Sequence, residues 1–153
     1  MSDFENLYRE IILDHYRSPR NRGELPEPAK KVEGFNPLCG DEVVVYLDVT
    51  DGVLTNIKIS GHGCSISQSS ASLMSAAVKG KPIDQVREKI ATFKQLMMGH
   101  EKKLDNEDEQ PKIDVRALGE LAALQGVVKF PVRIKCATLS WNTLSQGLDE
   151  LSL

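Results

Sequence analysis

Cysteine is scarce in this sequence, and the cysteines that occur are not paired in motifs. The 153 residues include three cysteines, none of them in a CxxC motif. An odd number of cysteines argues against a disulfide framework and, in a reducing compartment, favours metal binding or thiol chemistry. The lack of CxxC pairs argues against an ordinary structural zinc module.

A basic excess and long apolar segments are also lacking. The formal net charge is -3, whereas nucleic-acid and anionic-membrane binding usually require a positive excess. No apolar run is long enough to cross a bilayer, and residues 1–5 have neither the basic head nor the apolar segment of a signal peptide. We therefore expect a cytoplasmic protein with no nucleic-acid or membrane partner.

The composition is ordinary for one globular domain. Hydrophobic residues make up 41% of the chain and charged residues 27%, and no internal repeat is evident. We expect residues 1–153 to form a single domain.

The spacing of apolar residues predicts an α+β fold. Segments rich in β-branched residues at 43–47 and 53–59 flank the turn signal Asp51-Gly52, which predicts a hairpin, and a segment near 32–35 could add an edge strand. Apolar residues at helical spacing predict helices at residues 3–17, 65–78, 82–97, 114–124 and 137–151. The expected architecture is a small three-stranded antiparallel sheet covered on one face by helices, including N-terminal and C-terminal helices.

Two polar segments are predicted to be exposed loops. Residues 99–111 are polar and acidic and break the helical pattern. Residues 17–23 are basic and rich in residues that interrupt helices. Their charge fits a solvated connector as well as it fits a segment that docks on an acidic partner.

The chemistry-bearing residues are four potential metal ligands, namely Cys39, Asp41, Cys64 and Cys136. Three thiolates and one carboxylate suit a single tetrahedral zinc ion. Each lies near the predicted end of a strand or helix, so all four could meet at one end of the fold. Helix starts near Cys64 and Cys136 would lower the pKa of these thiols. Each residue alone also fits a buried cysteine or a capping aspartate, so spacing leaves both interpretations open.

Four segments carry a resemblance that is more specific than the ligand count. They are Leu7-Tyr8 with Ile12-Leu13-Asp14-His15-Tyr16 and Pro19-Arg20-Asn21, then Asn36-Pro37-Leu38-Cys39-Gly40-Asp41, then Gly61-His62-Gly63-Cys64-Ser65-Ile66-Ser67, and finally Arg133-Ile134-Lys135-Cys136-Ala137. In these segments the chain resembles the IscU/NifU-like family of iron-sulfur assembly proteins, and most closely its SufU branch. The resemblance spans nearly the whole chain and implies an IscU-like fold.

Two departures separate this chain from the scaffold branch of that family. The scaffold branch has a histidine immediately before its third cysteine, where this chain has Lys135. The segment of roughly residues 97–114 resembles the insertion of the SufU branch. Both departures favour sulfur transfer over cluster scaffolding, with an iron-sulfur scaffold or a structural zinc-binding interaction module as the alternatives.

The resemblance implies a set of roles for the site residues. Zinc would be bound by Cys39, Asp41, Cys64 and Cys136. Cys39 would accept persulfide sulfur from a PLP-dependent cysteine desulfurase, SufS, for a downstream iron-sulfur scaffold complex. We hypothesise that a partner side chain, such as a histidine, replaces Cys39 on zinc by ligand exchange and so frees the nucleophile.

Three further residues lie near the candidate ligands in the sequence. Arg133 is a second catalytic candidate because its charge would offset that of the thiolates, and Lys135 could act in the same way. For both residues the alternative is a solvated strand edge. His62 lies two residues before Cys64, but the family places its carboxylate ligand at Asp41, so we interpret His62 as a loop or partner-contact residue.

Overall fold

The computed structural model describes residues 3–105 and 119–152. In chain order the elements are α1 (Asp3–Arg17), β1 (Lys30–Asn36), β2 (Asp41–Thr50), β3 (Val53–His62), α2 (Ser65–Val78), α3 (Ile83–Asp105), a 3₁₀ helix (Gly119–Lys129) and α4 (Pro131–Glu150). The strands form an antiparallel sheet in the order β1-β2-β3. The predicted α+β fold, with its three-stranded sheet and its helices, is confirmed.

The sheet forms where the sequence alternates β-branched residues and turn signals. Asp51 and Gly52 both adopt positive φ, at 52° and 73°, which is the backbone geometry of a tight hairpin turn. Alternation along β2 directs Val43, Val45 and Leu47 to one face, where they are buried. This face of the sheet lies against the helices and forms one side of the core.

The C-terminal helix α4 lies directly on β1 and β2, while α2 packs against β3. The close approach of α4 requires a glycine, because a Cβ at Gly147 would lie 2.8 Å from side-chain atoms of Leu47 and Val32. Trp141 of α4 is fully buried and stacks on Phe93 of α3, with ring centroids 4.3 Å apart. These contacts fix α4, which carries the last of the predicted ligands, against β1 and β2, whose connecting loop carries Cys39 and whose second strand begins at Asp41.

Three of the predicted element boundaries are wrong. The predicted loop at 99–111 is helical as far as Asp105, because residues 101–104 have high helix propensity and extend α3 despite the unfavourable Gly99. Residues 106–111 lie outside the described residues. The predicted helix at 114–124 is a 3₁₀ helix from Gly119 onward, and 114–118 lie outside the described residues. The last helix begins six residues before the predicted start, at Pro131, a residue favoured in the first helical turn.

The helices in the described part of the chain do not cross a membrane. Within residues 3–105 and 119–152, no helix combines the length and the apolarity that a membrane span requires.

Candidate metal centre

The predicted ligands lie on three separate parts of the fold. Cys39 is in the four-residue loop between β1 and β2, and Asp41 is the first residue of β2. Cys64 is the N-cap of α2. Cys136 lies in the second turn of α4, so the prediction that it precedes the last helix is wrong. All three cysteines are free thiols.

Packing brings these ligands together at one end of the sheet. The ligand atoms of Cys39, Asp41 and Cys136 all lie within 4.8 Å of one another. The Sγ atoms of Cys136 and Cys39 are 3.2 Å apart. Cys64 lies beside this trio, with its Sγ 3.9 Å from Oδ2 of Asp41. The structure therefore groups the three thiols and the one carboxylate that the sequence singled out.

Asp41 is the most constrained member of the group. Its side chain is fully buried, and Oδ1 accepts a hydrogen bond of 2.9 Å from the backbone amide of Cys64. Gly63 lies so close that a Cβ there would be 2.5 Å from Oδ1. A buried carboxylate needs polar partners, and Asp41 finds them in the amide and thiol of Cys64. Asp41 thus ties the start of β2 to the start of α2.

The thiols of Cys64 and Cys136 have different environments. Cys64 caps α2, and its Sγ accepts a hydrogen bond of 3.5 Å from the amide of Ser67, as expected for a thiol at a helix start. Cys136 is fully buried. Burial raises the pKa of the Cys136 thiol far above its usual value, and hydrogen bonds with Cys39 and Asp41 act in the same direction. The expectation that the helix lowers the pKa of Cys136 is therefore wrong.

Asn36 is a site residue that the sequence interpretation did not single out. It is buried at the end of β1, directly opposite Asp41 in the strand register. Its Nδ2 lies 3.7 Å from the Sγ of Cys136, and its Oδ1 accepts a hydrogen bond from the amide of Leu38. Asn36 therefore links the loop that carries Cys39 to the thiol of Cys136. The Asn36-Pro37 dipeptide, a turn signal, could have indicated this role.

Arg133 and Lys135 lie in the first two turns of α4 rather than on a strand edge, and both are exposed. The guanidinium of Arg133 nevertheless lies beside the thiols. The charge of Cys64 and a hydrogen bond with Cys136 raise the pKa of Arg133 above its usual value. Lys135, which stands where the scaffold branch has a histidine, carries an exposed ammonium group, and this group is a hydrogen-bond donor with no lone pair to offer a metal.

His62 lies outside the ligand group as well. It ends β3 with an exposed side chain, and its Nδ1 is 3.8 Å from a carboxylate oxygen of Glu42. This position agrees with the interpretation of His62 as a loop or partner-contact residue, which stays a prediction.

The basic loop at 17–23 is tied to the rest of the fold. Arg20 forms an ion pair of 2.5 Å with Asp14. Arg22 donates hydrogen bonds to the carbonyl oxygen of Gly61, at 2.6 Å, and to the side chain of Gln68. The contacts of Arg22 brace the turn that precedes Cys64, while the side chains involved stay exposed, so both the connector and the docking interpretation stay predictions.

The donor set fits a tetrahedral divalent ion such as zinc. Zinc binds thiolate sulfur at about 2.3 Å, which places two ligand sulfurs roughly 3.8 Å apart. The sulfurs of Cys39 and Cys136 are 3.2 Å apart, and together with a carboxylate oxygen of Asp41 they lie within 4.8 Å of one another, close to that spacing. Thiolates select softer ions and zinc over magnesium or calcium, which prefer oxygen ligands. Cys39, Asp41 and Cys136, with Cys64 beside them, could therefore hold one zinc ion.

Comparisons with known proteins agree with this geometry. Residues 7–137 match the family described as the NifU-like N-terminal domain. The chain is 42% identical over 149 residues to the zinc-dependent sulfurtransferase SufU of Bacillus subtilis, covering 97% of this chain and 94% of that protein. It is 35% identical over 149 residues to the iron-sulfur cluster assembly scaffold protein IscU of Thermotoga maritima, covering 97% of each.

A solved structure from Fervidobacterium islandicum has a similar fold. It is described as a candidate iron-sulfur cluster assembly scaffold of the SUF system, and it is 31% identical to this chain. The two superpose with a TM-score of 0.79, which covers 91% of this chain and 94% of the other. The similarity therefore extends over almost the full length of both proteins.

Proposed function

The chain belongs to the family of NifU-like N-terminal domains, and from this membership we propose that it is a zinc-dependent sulfurtransferase of iron-sulfur cluster assembly. Its similarity to SufU of Bacillus subtilis over nearly the full length of both chains supports this function. The observation that carries the proposal is the convergence of three free thiols on one buried carboxylate. We place the protein in the cytoplasm, where thiols stay reduced.

The proposed zinc ligands are Cys39, Asp41, Cys64 and Cys136. Bound zinc would keep the thiols deprotonated at neutral pH without adding redox chemistry of its own. This matters most at Cys136, because burial raises the pKa of that thiol and favours its neutral form. Asn36 would then donate a hydrogen bond to the thiolate of Cys136, and Cys64 would receive one from the amide of Ser67.

Cys39 is the proposed sulfur acceptor because it is the least constrained of the thiols. Cys136 is fully buried within a helix, and Cys64 is held at a helix start. Cys39 is partly exposed in a short loop, next to Leu38, whose side chain is 65% exposed. A protein that carries a persulfide can therefore reach Cys39 more easily than the buried Cys136. Cys64 is partly exposed as well, but its place at a helix start leaves it less free to move than Cys39 in its loop.

The proposed transfer needs no external oxidant. The thiolate of Cys39 attacks the outer sulfur of a persulfide on the PLP-dependent cysteine desulfurase. A sulfur-sulfur bond forms at Cys39, the sulfur-sulfur bond of the donor breaks, and the donor cysteine leaves as a thiolate. One thiolate is consumed and one is released, so charge and electrons balance. The persulfide on Cys39 is then available to a downstream iron-sulfur scaffold complex.

Arg133 is the proposed second catalytic residue. Its guanidinium lies next to Cys64 and Cys136, so it can offset the negative charge that deprotonated thiols place at this end of the sheet. Its exposed side chain also lies where an approaching persulfide would meet the site. Lys135 is exposed on the same helix and remains an auxiliary candidate for the same task.

The second candidate function is that of an iron-sulfur cluster scaffold. The similarity to IscU of Thermotoga maritima over almost the full length of both chains favours this function. Lys135 counts against it, because the position offers an ammonium group instead of an imidazole. The two functions predict different metal contents, since a cluster requires iron and acid-labile sulfide and the transferase requires zinc.

The experiment that tests the proposal combines turnover, metal content and the position of the transferred sulfur. Cysteine desulfurase turnover is measured with the unchanged chain and with Cys39→Ser, and zinc and iron are quantified in both. After reaction the chain is alkylated and digested, and its cysteine peptides are weighed. We expect stimulation that requires Cys39, zinc near one ion per chain, and one extra sulfur on the Cys39 peptide.

Three outcomes would contradict the proposal. If the purified chain contained zinc but did not stimulate the desulfurase, a binding role would be favoured. If it contained iron and acid-labile sulfide, the scaffold function would be favoured. Extra sulfur on Cys64 or Cys136 instead of Cys39 would assign the acceptor role to a different thiol.

A further inference from the structure

An open groove lies beside the metal centre, between α1 and the 3₁₀ helix. Its volume is about 500 Å³. Its walls are mostly apolar, with Ile12 and Leu13 from α1, Ile66 from the first turn of α2, and Val127 from the 3₁₀ helix. An open apolar concavity of this size is a typical place for a partner's side chains to bury. We call it the α1 groove.

Two arginines give the α1 groove a positive charge. Arg9 of α1 and Arg133 of α4 both line it. Arg133 also contacts the thiols of Cys64 and Cys136, so one side chain belongs to the groove and to the edge of the metal centre. The groove and the sulfur chemistry are therefore adjacent parts of one surface.

Exposed apolar side chains extend the groove beyond its walls. Phe130 lines the groove and is 62% exposed, and its near neighbour Val132, which begins α4 with Pro131, is 61% exposed. Large apolar side chains this exposed, next to a concave apolar surface, are typical of protein interfaces. Aromatic residues in particular are enriched where binding energy concentrates.

We propose that the α1 groove is the docking site for a segment of the sulfur-donating protein that has apolar side chains and at least one carboxylate. This inference rests on the proposed function. The apolar side chains would fill the groove between α1 and the 3₁₀ helix, while the carboxylate would pair with Arg9. Docking there would hold the donor next to Arg133 and so deliver its persulfide to the metal centre.

The charge of the groove argues against a second copy of this chain as the occupant. In a symmetric dimer the same patch meets itself, so Arg9 and Arg133 would face a second pair of arginines across the interface. Like charges in such an interface are unfavourable. An acidic, apolar segment of a different protein has the complementary charge.

The test compares groove variants with matched controls in the stimulation of cysteine desulfurase. Arg9→Glu reverses the charge of the groove, Arg9→Lys keeps it, and Phe130→Ser removes the exposed ring. The controls are Lys81→Glu, an exposed charge reversal in the turn just before α3, and Met98→Ser, the loss of an exposed apolar side chain on α3. Zinc content and circular dichroism are recorded for every variant, and light scattering gives the mass of each.

The expected result is a change in the concentration of chain that gives half-maximal stimulation. Arg9→Glu and Phe130→Ser should each raise it on the order of tenfold, the size of a central interface contact. Arg9→Lys, which keeps the charge, should give a half-maximal concentration close to that of the unchanged chain. Added salt should weaken docking of the unchanged chain more than docking of Arg9→Glu. The two controls should match the unchanged chain.

Each other outcome overturns the proposal in a recognisable way. If the unchanged chain stimulates the desulfurase and the groove variants match it, the docking site is elsewhere and the proposed function stands. If the unchanged chain does not stimulate it, both proposals fail together. If light scattering shows a dimer that Phe130→Ser disrupts, the groove is a self-association surface.

Discussion

The substitution Gly63→Ala tests whether the placement of Asp41 determines zinc binding. A Cβ at this position would lie 2.5 Å from Oδ1 of Asp41 and 3.0 Å from its Cγ. Real Cβ atoms essentially never lie closer than 3.0 Å to such a neighbour, so the new Cβ and Oδ1 must separate by about 0.5 Å, which displaces the carboxylate or the backbone that holds it. A metal site tolerates ligand displacements of only about 0.2 Å. We therefore expect zinc affinity to fall on the order of tenfold to a hundredfold, as when a supporting contact of a ligand is lost.

The assay is competition for zinc with a coloured chelator, at fixed pH, for the unchanged chain and for Gly63→Ala. Gly126→Ala is the matched control, because a Cβ there meets nothing within 4 Å. Asp41→Asn gives the effect of losing the carboxylate itself. Wild-type zinc affinity in Gly63→Ala, with Asp41→Asn strongly weakened, would refute the argument that Gly63 fixes the carboxylate. Wild-type affinity in both would remove Asp41 from the ligand set.

Two further predictions concern stability. Burial raises the pKa of Cys136 in the folded state above the usual 9.0. The free energy of unfolding of the metal-free chain should therefore fall as the pH rises above 9.0, by up to about 1.4 kcal/mol per pH unit. Urea unfolding at several pH values should show this fall in the unchanged chain and a smaller one in Cys136→Ser. If the free energy of unfolding fell equally steeply with pH in both chains, the prediction would be wrong. Ser70→Ala should lower the free energy of unfolding by about 1–3 kcal/mol. The buried Ser70 hydroxyl donates a hydrogen bond to the carbonyl oxygen of Ala137 and accepts one from the indole of Trp141. The control Ser18→Ala, at an exposed serine, should leave the free energy of unfolding nearly unchanged.

The sheet and most helices follow from local patterns. Alternating β-branched residues and the Asp51-Gly52 turn predicted the hairpin, because strand pairing across a short turn is a local event. The predictions failed where local signals compete. A polar, acidic stretch that begins at a glycine predicts a loop, yet α3 continues to Asp105 because residues 101–104 also favour a helix. The apolar stripe predicts a start of α4 at residue 137, which is too late because the helix extends beyond its apolar stripe to Pro131, a residue favoured in the first turn.

The candidate ligands could be identified from the sequence, but their arrangement in space could not. Counting three cysteines and an adjacent aspartate predicted a zinc site, and the IscU/NifU-like resemblance matched the family found by comparison. The sequence did not reveal that Asn36 contacts Cys136, or that Cys136 is buried within a helix. It also gave no sign of the groove that Arg133 shares with α1.

Residue types and short-range periodicity determined which groups this protein has and which helices and strands carry them. Tertiary structure alone decided that Cys136 meets Cys39, 97 positions away, and that one thiol is buried while the other is partly exposed. The physical reason is that such distances depend on how α4 packs on the sheet. Close contacts at Gly147 and the stacking of Trp141 on Phe93 set that packing.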